Sequence, residues 1–258
     1  MRYVTLIFSL LALISCGKQN PNTLIVGTIS GPETELVDVA QKVAHDQYGL
    51  TVKIVEFSDY NLPNAALQDG SLDVNVYQHL PYLEESKAAH GYDLEVIGKT
   101  FIYPAGLYSH KYKRIAAIPE NAWIAIPNDP SNEARALLLL KKAGLIKLKN
   151  KRLVGVQDIT SNPRSLHFKP LDAAQLPRIL DDVDAAVINT SFAIPAGLHP
   201  SRDALFIEGK DSPYANLIVI RRNSTNKEQL SLFVKALNSE EVKQKAQALF
   251  GNDAIAAW

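Results

Sequence analysis

A group of polar side chains stands at the start of an apolar stretch, "NDPSNEARALLLLKKAGLIKL" (residues 128–148). Asp129 is a favourable N-cap and Pro130 suits the first helical position, so the pattern predicts a helix that begins here. A helix N-terminus carries unpaired N–H groups and a partial positive charge, which favour an anion. Arg135 lies about one and a half turns further on, where its guanidinium could hold a carboxylate through two parallel hydrogen bonds. These residues alone allow either an anion site or an ordinary capped helix with a solvated arginine.

The body of this predicted helix is strongly apolar. Leu137 to Leu140 are four consecutive leucines, and such a run covers too much of the circumference for a one-sided surface helix. Gly144 interrupts the pattern near the end, where Lys141 and Lys142 complement the negative end of the helix dipole. The sequence therefore predicts a helix that is covered on most sides and carries its polar residues at the start.

No motif in the sequence indicates catalysis or a bound cofactor. The glycine-rich phosphate loops, the nucleophile elbow and the zinc-protease motif do not occur. The six histidines are scattered without ligand-like spacing, and Cys16 is the one cysteine. Asp181 and Asp182 stand in a predicted turn, where they suit solvated caps. We therefore predict a protein that is not an enzyme and has no cofactor or metal, although a zinc or manganese site built from distant carboxylates and His79 stays possible.

Strand-like and helix-like segments alternate along the chain. An apolar, β-branched run at residues 23–30 precedes a helical pattern at 32–49 and a second strand-like run at 51–59. Further strands are predicted at 72–76, 96–103, 122–127, 152–159, 185–190 and 216–222, and further helices at 63–68, 81–90 and 227–250. This alternation predicts an α/β fold with parallel strands.

Two segments of the chain resemble each other weakly. Residues 65–79 and 178–192 both run from a helix through an acidic turn into a strand that ends in polar or aromatic residues. Shared α/β patterning could produce this by chance, but two comparable lobes would produce it as well. In open α/β sheets, ligands bind beyond the carboxyl ends of the strands. Two facing lobes would then each contribute one wall of a cleft.

The first residues predict an exported, lipid-anchored protein. Arg2 precedes an apolar run at residues 4–14, which suits a signal peptide at 1–15 and is shorter than the roughly 20 residues that span a bilayer. The end of this run, "LISC", matches a bacterial lipobox with Cys16 as the lipidated residue, and residues 16–22 form a polar spacer. The alternative is a plain secretory signal with an incidental cysteine. A lipid with more than one acyl chain holds a protein stably at a membrane.

Composition excludes some classes of partner. The net charge is +0, so no basic excess favours nucleic acid or an anionic membrane surface. The 258 residues allow one large domain or two domains of roughly 100–150 residues each. We expect a monomer that does not bind nucleic acid.

Four segments carry a resemblance to a known family: "NLPNAALQDGSLDVNVYQHLPYLE", "NDPSNEARALLLLKKAGLIKLK", "PLDAAQLPRILDDVDAAVINTSFA" and "KDSPYANLIVIR". In this order, after a lipobox, they closely resemble the NlpA family, which comprises methionine-binding lipoproteins that serve an ABC importer. The resemblance covers residues 23–258 and implies a two-lobed, periplasmic-binding-protein-like fold with the ligand in the cleft between the lobes.

The resemblance also implies how the chain is divided. Lobe 1 would comprise residues 23–104 and 217–258, and lobe 2 would comprise residues 105–216. The segments that cross between the lobes would lie at about 101–108 and 207–218.

The family implies a polar grip on the backbone end of a free amino acid. Arg135 would hold the ligand carboxylate, assisted by the helix start. Asn132 and Asn128 belong to the same motif, and Asn132 is the one expected to touch the ligand. Asn189 in "VINT" and Asn216 in "SPYANL" match asparagines that hydrogen-bond the backbone end.

The family further implies an aromatic wall around the ligand side chain. Its residues would be Tyr60, Tyr77, His79, Tyr82 and Tyr103. A methionine thioether is flexible and polarizable and contacts aromatic rings favourably, so such a wall suits methionine. Two departures from the family pattern bear on specificity, because Tyr77 stands where many relatives have phenylalanine and residues 104–107 also differ.

The expected function is therefore that of a lipid-anchored, extracytoplasmic substrate-binding protein of the cell envelope. It would capture L-methionine, deliver it to the permease of an ABC importer and bind the membrane through the lipid on Cys16. The same fold could instead bind D-methionine, a methionine dipeptide or another apolar amino acid. A surface lipoprotein that interacts with other molecules without a transport role is the alternative from a different class, and an enzyme is the remote one.

Overall fold

The computed structural model describes residues 22–209 and 212–258. The predicted signal peptide, the lipidation site Cys16 and the spacer up to residue 21 lie outside the described residues. Within the described ranges, no helix combines the length and the apolar character that crossing a membrane requires.

Strands and helices alternate along the chain, which confirms the predicted α/β class. The strands are β1 (Thr23–Ile29), β2 (Thr51–Phe57), β3 (Val74–His79), β4 (Leu94–Ile102), β5 (Gly106–Tyr108), β6 (Trp123–Pro127), β7 (Lys147–Leu148), β8 (Ile159–Ser161), β9 (His167–Leu171), β10 (Ala185–Ile188), β11 (Phe206–Ile207), β12 (Ala215–Arg221) and β13 (Ile255–Ala256). The α-helices are α1 (Pro32–Tyr48), α2 (Pro63–Gln68), α3 (Leu80–His90), α4 (Pro130–Lys142), α5 (Thr190–Ala193), α6 (Pro200–Asp203), α7 (Lys227–Leu237) and α8 (Glu240–Phe250). Short 3-10 segments lie at Ile115–Ala117, Val156–Asp158, Ala173–Ile179, Ile194–Ala196 and Gly251–Asp253.

Two mixed sheets form the framework. The first has the strand order β13-β4-β12-β3-β1-β2 and the second has the order β11-β5-β10-β6-β9. β1 pairs in parallel with β2 and β3, as the predicted β-α-β unit requires, whereas β12 runs antiparallel to β3 and β4. In the second sheet β6 pairs in parallel with β9 and β10, and β5 runs antiparallel to β10. β3 and β10, whose ends carry polar residues, are therefore both interior strands.

Two short connections carry the chain from one sheet to the other. It leaves the first sheet after Ile102 and enters the second sheet at Gly106. It returns to the first sheet between Ile207 and Ala215. Each sheet therefore consists mainly of strands from one part of the chain, and β12 and β13, which follow the second sheet in the sequence, complete the first sheet.

Each sheet also has its own hydrophobic core. In the first, buried side chains of β1, such as Leu24 and Val26, pack with those of α1, α7 and α8. In the second, Ile124 of β6 packs with Leu137, Leu139 and Leu140 of α4. A third cluster joins residues from both sheets, including Tyr77 of β3 and Ile188 of β10. Burial of apolar surface thus stabilises each sheet separately and also holds the two against each other.

Helix α4 forms as predicted from its cap and its apolar body. Asp129 is the N-cap, and its carboxylate accepts the backbone N–H of Asn132 at 2.9 Å. Leu137, Leu139 and Leu140 are at most 3% exposed, whereas Leu138 is 37% exposed. The helix is therefore covered on most sides but not completely.

The strand predicted at residues 152–159 is wrong over most of its length. Val156–Asp158 is a 3-10 turn, and strand β8 begins at Ile159. The carboxylate of Asp158 accepts the backbone N–H of Gly155 at 3.1 Å. A side-chain acceptor therefore takes a backbone donor that a sheet ladder would need.

The helix predicted at residues 227–250 is two helices. α7 ends at Leu237 and α8 begins at Glu240. The Ser239 hydroxyl accepts the backbone N–H of Val242 at 3.4 Å, so this serine caps the second helix. The prediction of helix was correct on both sides of the break, but it did not include the capping residue.

Five short strands, β5, β7, β9, β11 and β13, were not predicted from the sequence. Four of them have two or three residues, too few for an alternating pattern to show. β9 contains Pro170, which argues against an interior strand, and it lies at the edge of its sheet. The remaining predicted elements are present, with ends that differ by a few residues.

Leu137 and Leu138 give a matched test of the packing of α4. Leu137 is fully buried and Leu138 is 37% exposed. Leu137→Ala should lower the free energy of unfolding by about 2–5 kcal/mol because it leaves a cavity in the core, and Leu138→Ala should change it much less. Urea unfolding followed by circular dichroism measures both. Equal losses for the two variants would contradict the observed packing of the helix.

Candidate functional site

The carboxyl ends of β3 and β10 meet at a small cavity between the two sheets. The cavity has a volume of about 20 Å³. Its lining residues are Tyr60, Tyr77, Gln78, His79, Tyr82, Tyr103, Asn132, Arg135, Asn189, Thr190, Ser191 and Asn216. This set contains every residue predicted for the ligand site and adds Gln78, Thr190 and Ser191. Asn128, from the same motif as Asn132, is exposed and is not part of the lining.

Asn132, in the first turn of α4, connects residues from both sheets. Its Nδ2 donates to the two carboxylate oxygens of Asp129 at 3.0 and 3.1 Å. Its Oδ1 accepts from Asn189 Nδ2 at 2.8 Å and lies 3.1 Å from His79 Nε2. The side-chain amide of Asn132 is thus fully engaged, and it holds Asn189 and His79 in position beside the cavity.

The hydrogen bonds of His79 define its protonation state. Nδ1 accepts the backbone N–H of Tyr82 at 3.3 Å, so Nε2 carries the proton and donates to Asn132 Oδ1. Burial, assisted by the positive charge of Arg135, lowers the pKa of His79 to about 3. The ring is therefore neutral at physiological pH.

Arg135 is buried and forms an ion pair with Glu208. Nε donates to Glu208 Oε1 at 2.8 Å, and Nη2 donates to Glu208 Oε2 at 2.6 Å and to the carbonyl oxygen of Tyr103 at 2.8 Å. The guanidinium also lies 4.4 Å above the Tyr214 ring. Burial alone would lower the pKa of Arg135, but the Glu208 carboxylate raises it. Because Glu208 occupies the two-pronged edge of the guanidinium, Nη1 is the nitrogen that remains for a ligand carboxylate.

Asn189 and Asn216 are oriented by bonds that their amide nitrogens donate. Asn189 Nδ2 donates to Asn132, as described above. Asn216 Nδ2 donates to Glu33 Oε1 at 2.7 Å and to the carbonyl oxygen of Tyr77 at 3.1 Å. The Oδ1 atoms of both asparagines are then the acceptors that these side chains offer to a hydrogen-bond donor in the cavity.

Three tyrosines and a phenylalanine form an aromatic wall. The ring centroid of Tyr60 lies 5.8 Å from that of Tyr77, 5.9 Å from that of Tyr82 and 4.8 Å from that of Phe192. The hydroxyl of Tyr82 donates to the carbonyl oxygen of Tyr60 at 2.7 Å. Burial raises the pKa of Tyr60 and Tyr77 well above the ordinary value for tyrosine. The wall is therefore uncharged.

Tyr103 contributes to the site differently from the other tyrosines. Its ring packs against Phe101 and Phe250, with centroids 6.0 and 4.9 Å away. Its carbonyl oxygen accepts from Arg135. Tyr103 thus lines the cavity while its ring also belongs to the core of the first sheet.

Several residues of the site were not predicted. Glu208 and Tyr214 hold the guanidinium of Arg135, Glu33 orients Asn216, and Phe192 adds a ring to the wall. A buried charge needs an opposite charge nearby, so a buried Arg135 indicates that an acidic partner exists. No local pattern shows which of the 27 acidic residues is that partner. Among the described residues, no group of three or more His, Cys, Asp and Glu is arranged to hold a metal ion.

The fold and the site define a two-lobed α/β substrate-binding protein with its site in the cleft between the lobes. Residues 24–258 match the family described as NlpA lipoprotein, and the chain belongs to this family. It is 46% identical over 254 residues to the D-methionine-binding lipoprotein MetQ of Escherichia coli (strain K12), with 96% of this chain and 94% of the relative covered.

Two solved structures are similar over nearly the whole chain. One is an ABC transporter periplasmic substrate-binding protein from Coxiella burnetii, with a TM-score of 0.88 and 55% identity, covering 91% of this chain and 100% of that one. The other is a nutrient-binding protein from Burkholderia cenocepacia bound to methionine, with a TM-score of 0.89 and 47% identity over 91% of this chain and 100% of that one. One of these structures is thus named as a substrate-binding protein of a transporter, and the other is described as bound to methionine.

The Arg135–Glu208 pair gives a test of buried charge in the site. Glu208→Ala should lower the free energy of unfolding by about 3–5 kcal/mol, because it leaves a buried guanidinium without its counter-charge. Glu85→Ala is the matched control, since its partner Arg152 is 77% exposed and loss of such a pair costs less than about 1 kcal/mol. Thermal and urea unfolding of both variants measure the difference. Similar small losses would show that Arg135 is not buried as described.

His79 gives a test of pH dependence. Its pKa is about 3 in the folded chain against 6.5 for the ordinary side chain, so the unfolded chain binds more protons between these values. The free energy of unfolding should therefore fall as pH is lowered through this range. Urea unfolding at several pH values should show a shallower decline for His79→Gln than for the unsubstituted chain. An unchanged decline would mean that His79 titrates normally in the folded protein.

Proposed function

We propose that this protein is a lipid-anchored substrate-binding protein that captures free L-methionine in the cleft and delivers it to an ABC importer. The observation that carries the proposal is one cavity that combines a buried guanidinium, two oriented asparagine amides and an aromatic wall. The methionine named for the Burkholderia cenocepacia structure and for the MetQ relatives supports the choice of ligand. Binding is noncovalent, and the protein performs no chemical step.

The site offers a suitable group for each part of methionine. The ligand carboxylate meets Nη1 of Arg135, because Glu208 holds the other edge of the guanidinium. The Oδ1 atoms of Asn189 and Asn216 accept hydrogen bonds from the ligand's amino group. The rings of Tyr60, Tyr77 and Tyr82, which line the cavity, surround the thioether, and Phe192 supports them by packing against Tyr60. Each sulfur–ring contact contributes about 0.3–1.5 kcal/mol.

Methionine enters the site when the two walls of the cleft move apart. The cavity of about 20 Å³ has room for about one water molecule, so the walls must separate before an amino acid fits. Bonds across the cleft hold it closed: Asn61 Nδ2 donates to Asp172 Oδ2 at 3.1 Å, and Arg152 Nη2 donates to Glu85 Oε1 at 3.1 Å. Closing over the ligand then excludes water and gives the permease a distinct closed form to recognise.

The lobes proposed for this movement follow the two sheets, except that Ala215 and Asn216, at the start of β12, are counted with lobe 2. Lobe 1 comprises residues 23–104 and 217–258, and lobe 2 comprises residues 105–216. The passages of the chain from Ile102 to Gly106 and from Ile207 to Ala215 support this division, because they connect strands of different sheets.

D-Methionine is the second candidate ligand, and the name of the MetQ relatives favours it. Its carboxylate and thioether match the same groups of the site, and the two enantiomers differ in where the amino group points relative to Asn189 and Asn216. A methionine dipeptide, another apolar amino acid or an interaction role without transport has less support, since the polar grip suits one free amino acid.

The protein is proposed to act at the cell envelope as a monomer. Lipidation of Cys16 would hold it to a membrane on the extracytoplasmic side, with residues 16–22 as the spacer. The family and the relatives named as lipoproteins support this placement. The permease of the importer is its proposed protein partner.

The first experiment identifies the ligand. The purified full-length chain is unfolded, the released small molecules are identified by mass spectrometry, and the refolded chain is titrated with L- and D-methionine by calorimetry. Release of methionine and one-to-one rebinding would support the proposal. If another molecule is released and neither enantiomer binds, the proposed substrate is wrong. If nothing is released and no amino acid binds, the interaction role replaces the transport role.

Arg135→Ala should weaken methionine binding at least about tenfold, because a hydrogen bond to a charged group contributes roughly 1.5–3 kcal/mol. Asn189→Ala, which leaves the buried ion pair intact, serves as a second variant if Arg135→Ala folds poorly. Arg222→Ala is the matched control, because Arg222 pairs with Asp93 at an exposed site and should leave affinity unchanged. Full affinity in the first two variants would remove these residues from the site.

A further inference from the structure

Glu33 is a buried acidic residue beside the site that the proposed contacts with methionine do not use. It lies in the first turn of α1 and is 5% exposed. Its Oε1 accepts from Asn216 Nδ2 at 2.7 Å. Its Oε2 is buried and has no hydrogen-bond partner among the described residues. Burying a carboxyl oxygen without a hydrogen bond costs free energy of folding, so the presence of Glu33 at this position needs a physical explanation.

Glu33 lies directly behind two residues that line the main cavity. A second cavity of about 10 Å³ is lined by Glu33 together with Asn216 and Tyr103. Asn216 and Tyr103 also line the main cavity. Glu33 is therefore separated from the main cavity by the side chains that the two cavities share, which places it within electrostatic range of a charge bound there.

No cation among the described groups around Glu33 neutralises it. The phenols of Tyr60 and Tyr103 face it and stay neutral, since burial raises the pKa of both. On α1 itself, Glu35 points to the surface and pairs with Lys245 of α8. The charged and titratable groups across the site are Arg135, which Glu208 already pairs, His79, which is neutral, and Asp129, which caps α4.

This environment favours the protonated form of Glu33. Burial raises the pKa of Glu33 from 4.5 to about 8, and the hydrogen bond from Asn216 together with the nearby Ser191 hydroxyl offsets only part of that effect. At neutral pH the free protein therefore holds this carboxyl mainly as the acid.

We propose that Glu33 is the counter-charge for the ammonium group of the bound amino acid, so that the site selects ligands with a free α-amino group. This inference rests on the proposed function. Asn216 accepts a hydrogen bond from the ammonium through Oδ1, and Glu33 fixes the orientation of that amide through Nδ2. When the ammonium binds, the carboxyl loses its proton to solvent and becomes a carboxylate directly behind Asn216. The ligand stays protonated, so the proton released comes from Glu33, and the number released per ligand is the difference in Glu33 protonation between the free and bound forms.

The consequence is a binding affinity that rises with pH. Below a pH of about 8 the free carboxyl must give up its proton before the charges can pair, and lowering the pH opposes that step. A nearby opposite charge lowers a carboxyl pKa by roughly 1–3 units. By reciprocity, the ionised form of Glu33 strengthens binding of the ammonium by the same factor, roughly tenfold or more.

The test measures protons and ligand selectivity together on the full-length chain. Methionine is titrated calorimetrically at pH 7 in two buffers that differ in ionisation enthalpy, which gives the number of protons released per ligand. The second probe is 4-(methylsulfanyl)butanoate, which keeps the carboxylate and thioether of methionine and lacks the amino group. The variant is Glu33→Gln, which can still accept the hydrogen bond from Asn216 but cannot ionise.

The expected results differ between the two forms of the protein. For a pKa that ligand binding lowers from about 8 by roughly 1–3 units, the unsubstituted chain should release roughly 0.4 to 0.9 proton per methionine at pH 7. The same linkage should make methionine bind roughly twofold to ninetyfold tighter at pH 7, an advantage that the deaminated probe lacks. Glu33→Gln should release almost none and should lose the part of this preference that ionised Glu33 supplies, while the part due to the Oδ1 atoms of Asn189 and Asn216 and the affinity for the deaminated probe change little. A purely structural role for Glu33 would not change the proton count.

Three results would overturn the inference. These are methionine binding without proton release, equal proton release by Glu33→Gln, and equal affinity of the unsubstituted chain for the two probes. The first and third need no variant, so they decide the matter even if Glu33→Gln fails to fold. Methionine binding without proton release would leave the proposed function intact, whereas no methionine binding at all would overturn both.

Discussion

The buried ion pair between Arg135 and Glu208 joins the parts of the chain that pass between the two sheets. Arg135 belongs to α4, and its Nη2 also donates to the carbonyl oxygen of Tyr103, in the passage from β4 to β5. Glu208 follows β11, and its Oε2 accepts the backbone N–H of Ala105 at 3.0 Å. One charge-neutralising cluster thus ties the helix of the second sheet to both passages. The guanidinium nitrogen offered to a ligand is held at the connections between the lobes.

The rest of the site is kept largely uncharged by burial. His79 is neutral because burial disfavours its imidazolium form, and the tyrosines of the aromatic wall are neutral for the corresponding reason. Glu33 is the acidic counterpart, because its folded pKa of about 8 lies above its ordinary value of 4.5. Its contribution to stability is therefore complete below pH 4.5 and is lost as pH rises through about 8, opposite in direction to that of His79. Because the site has few charged side chains, few groups in it can pair with the charges of a ligand.

Aromatic packing and cross-cleft bonds together explain the closed arrangement. Tyr60 follows β2 of the first sheet and Phe192 lies in α5 next to the second, so their contact at 4.8 Å is made across the cleft. Bonds such as that between Asn61 and Asp172 add to it at an exposed position. Exposed polar pairs contribute little individually, and most of the attraction between the lobes must come from the apolar cluster that they share. In the proposed opening of the cleft, separating the exposed polar pairs would cost little free energy and separating the rings would cost more.

The sequence by itself determined the elements whose causes are local. Neighbouring residues were enough to predict the cap at Asp129, the buried leucines of α4 and the polar ends of β3 and β10. The family to which the chain belongs could also be recognised from the sequence. The tertiary structure alone decided which charges meet. Glu208 pairs with Arg135 across 73 residues, and Asn216 meets Glu33 across 183 residues. Pairing at such separations depends on how the two sheets pack. No local pattern encodes it, because the residues next to Glu208 and Glu33 do not distinguish these carboxylates from the other acidic residues of the chain.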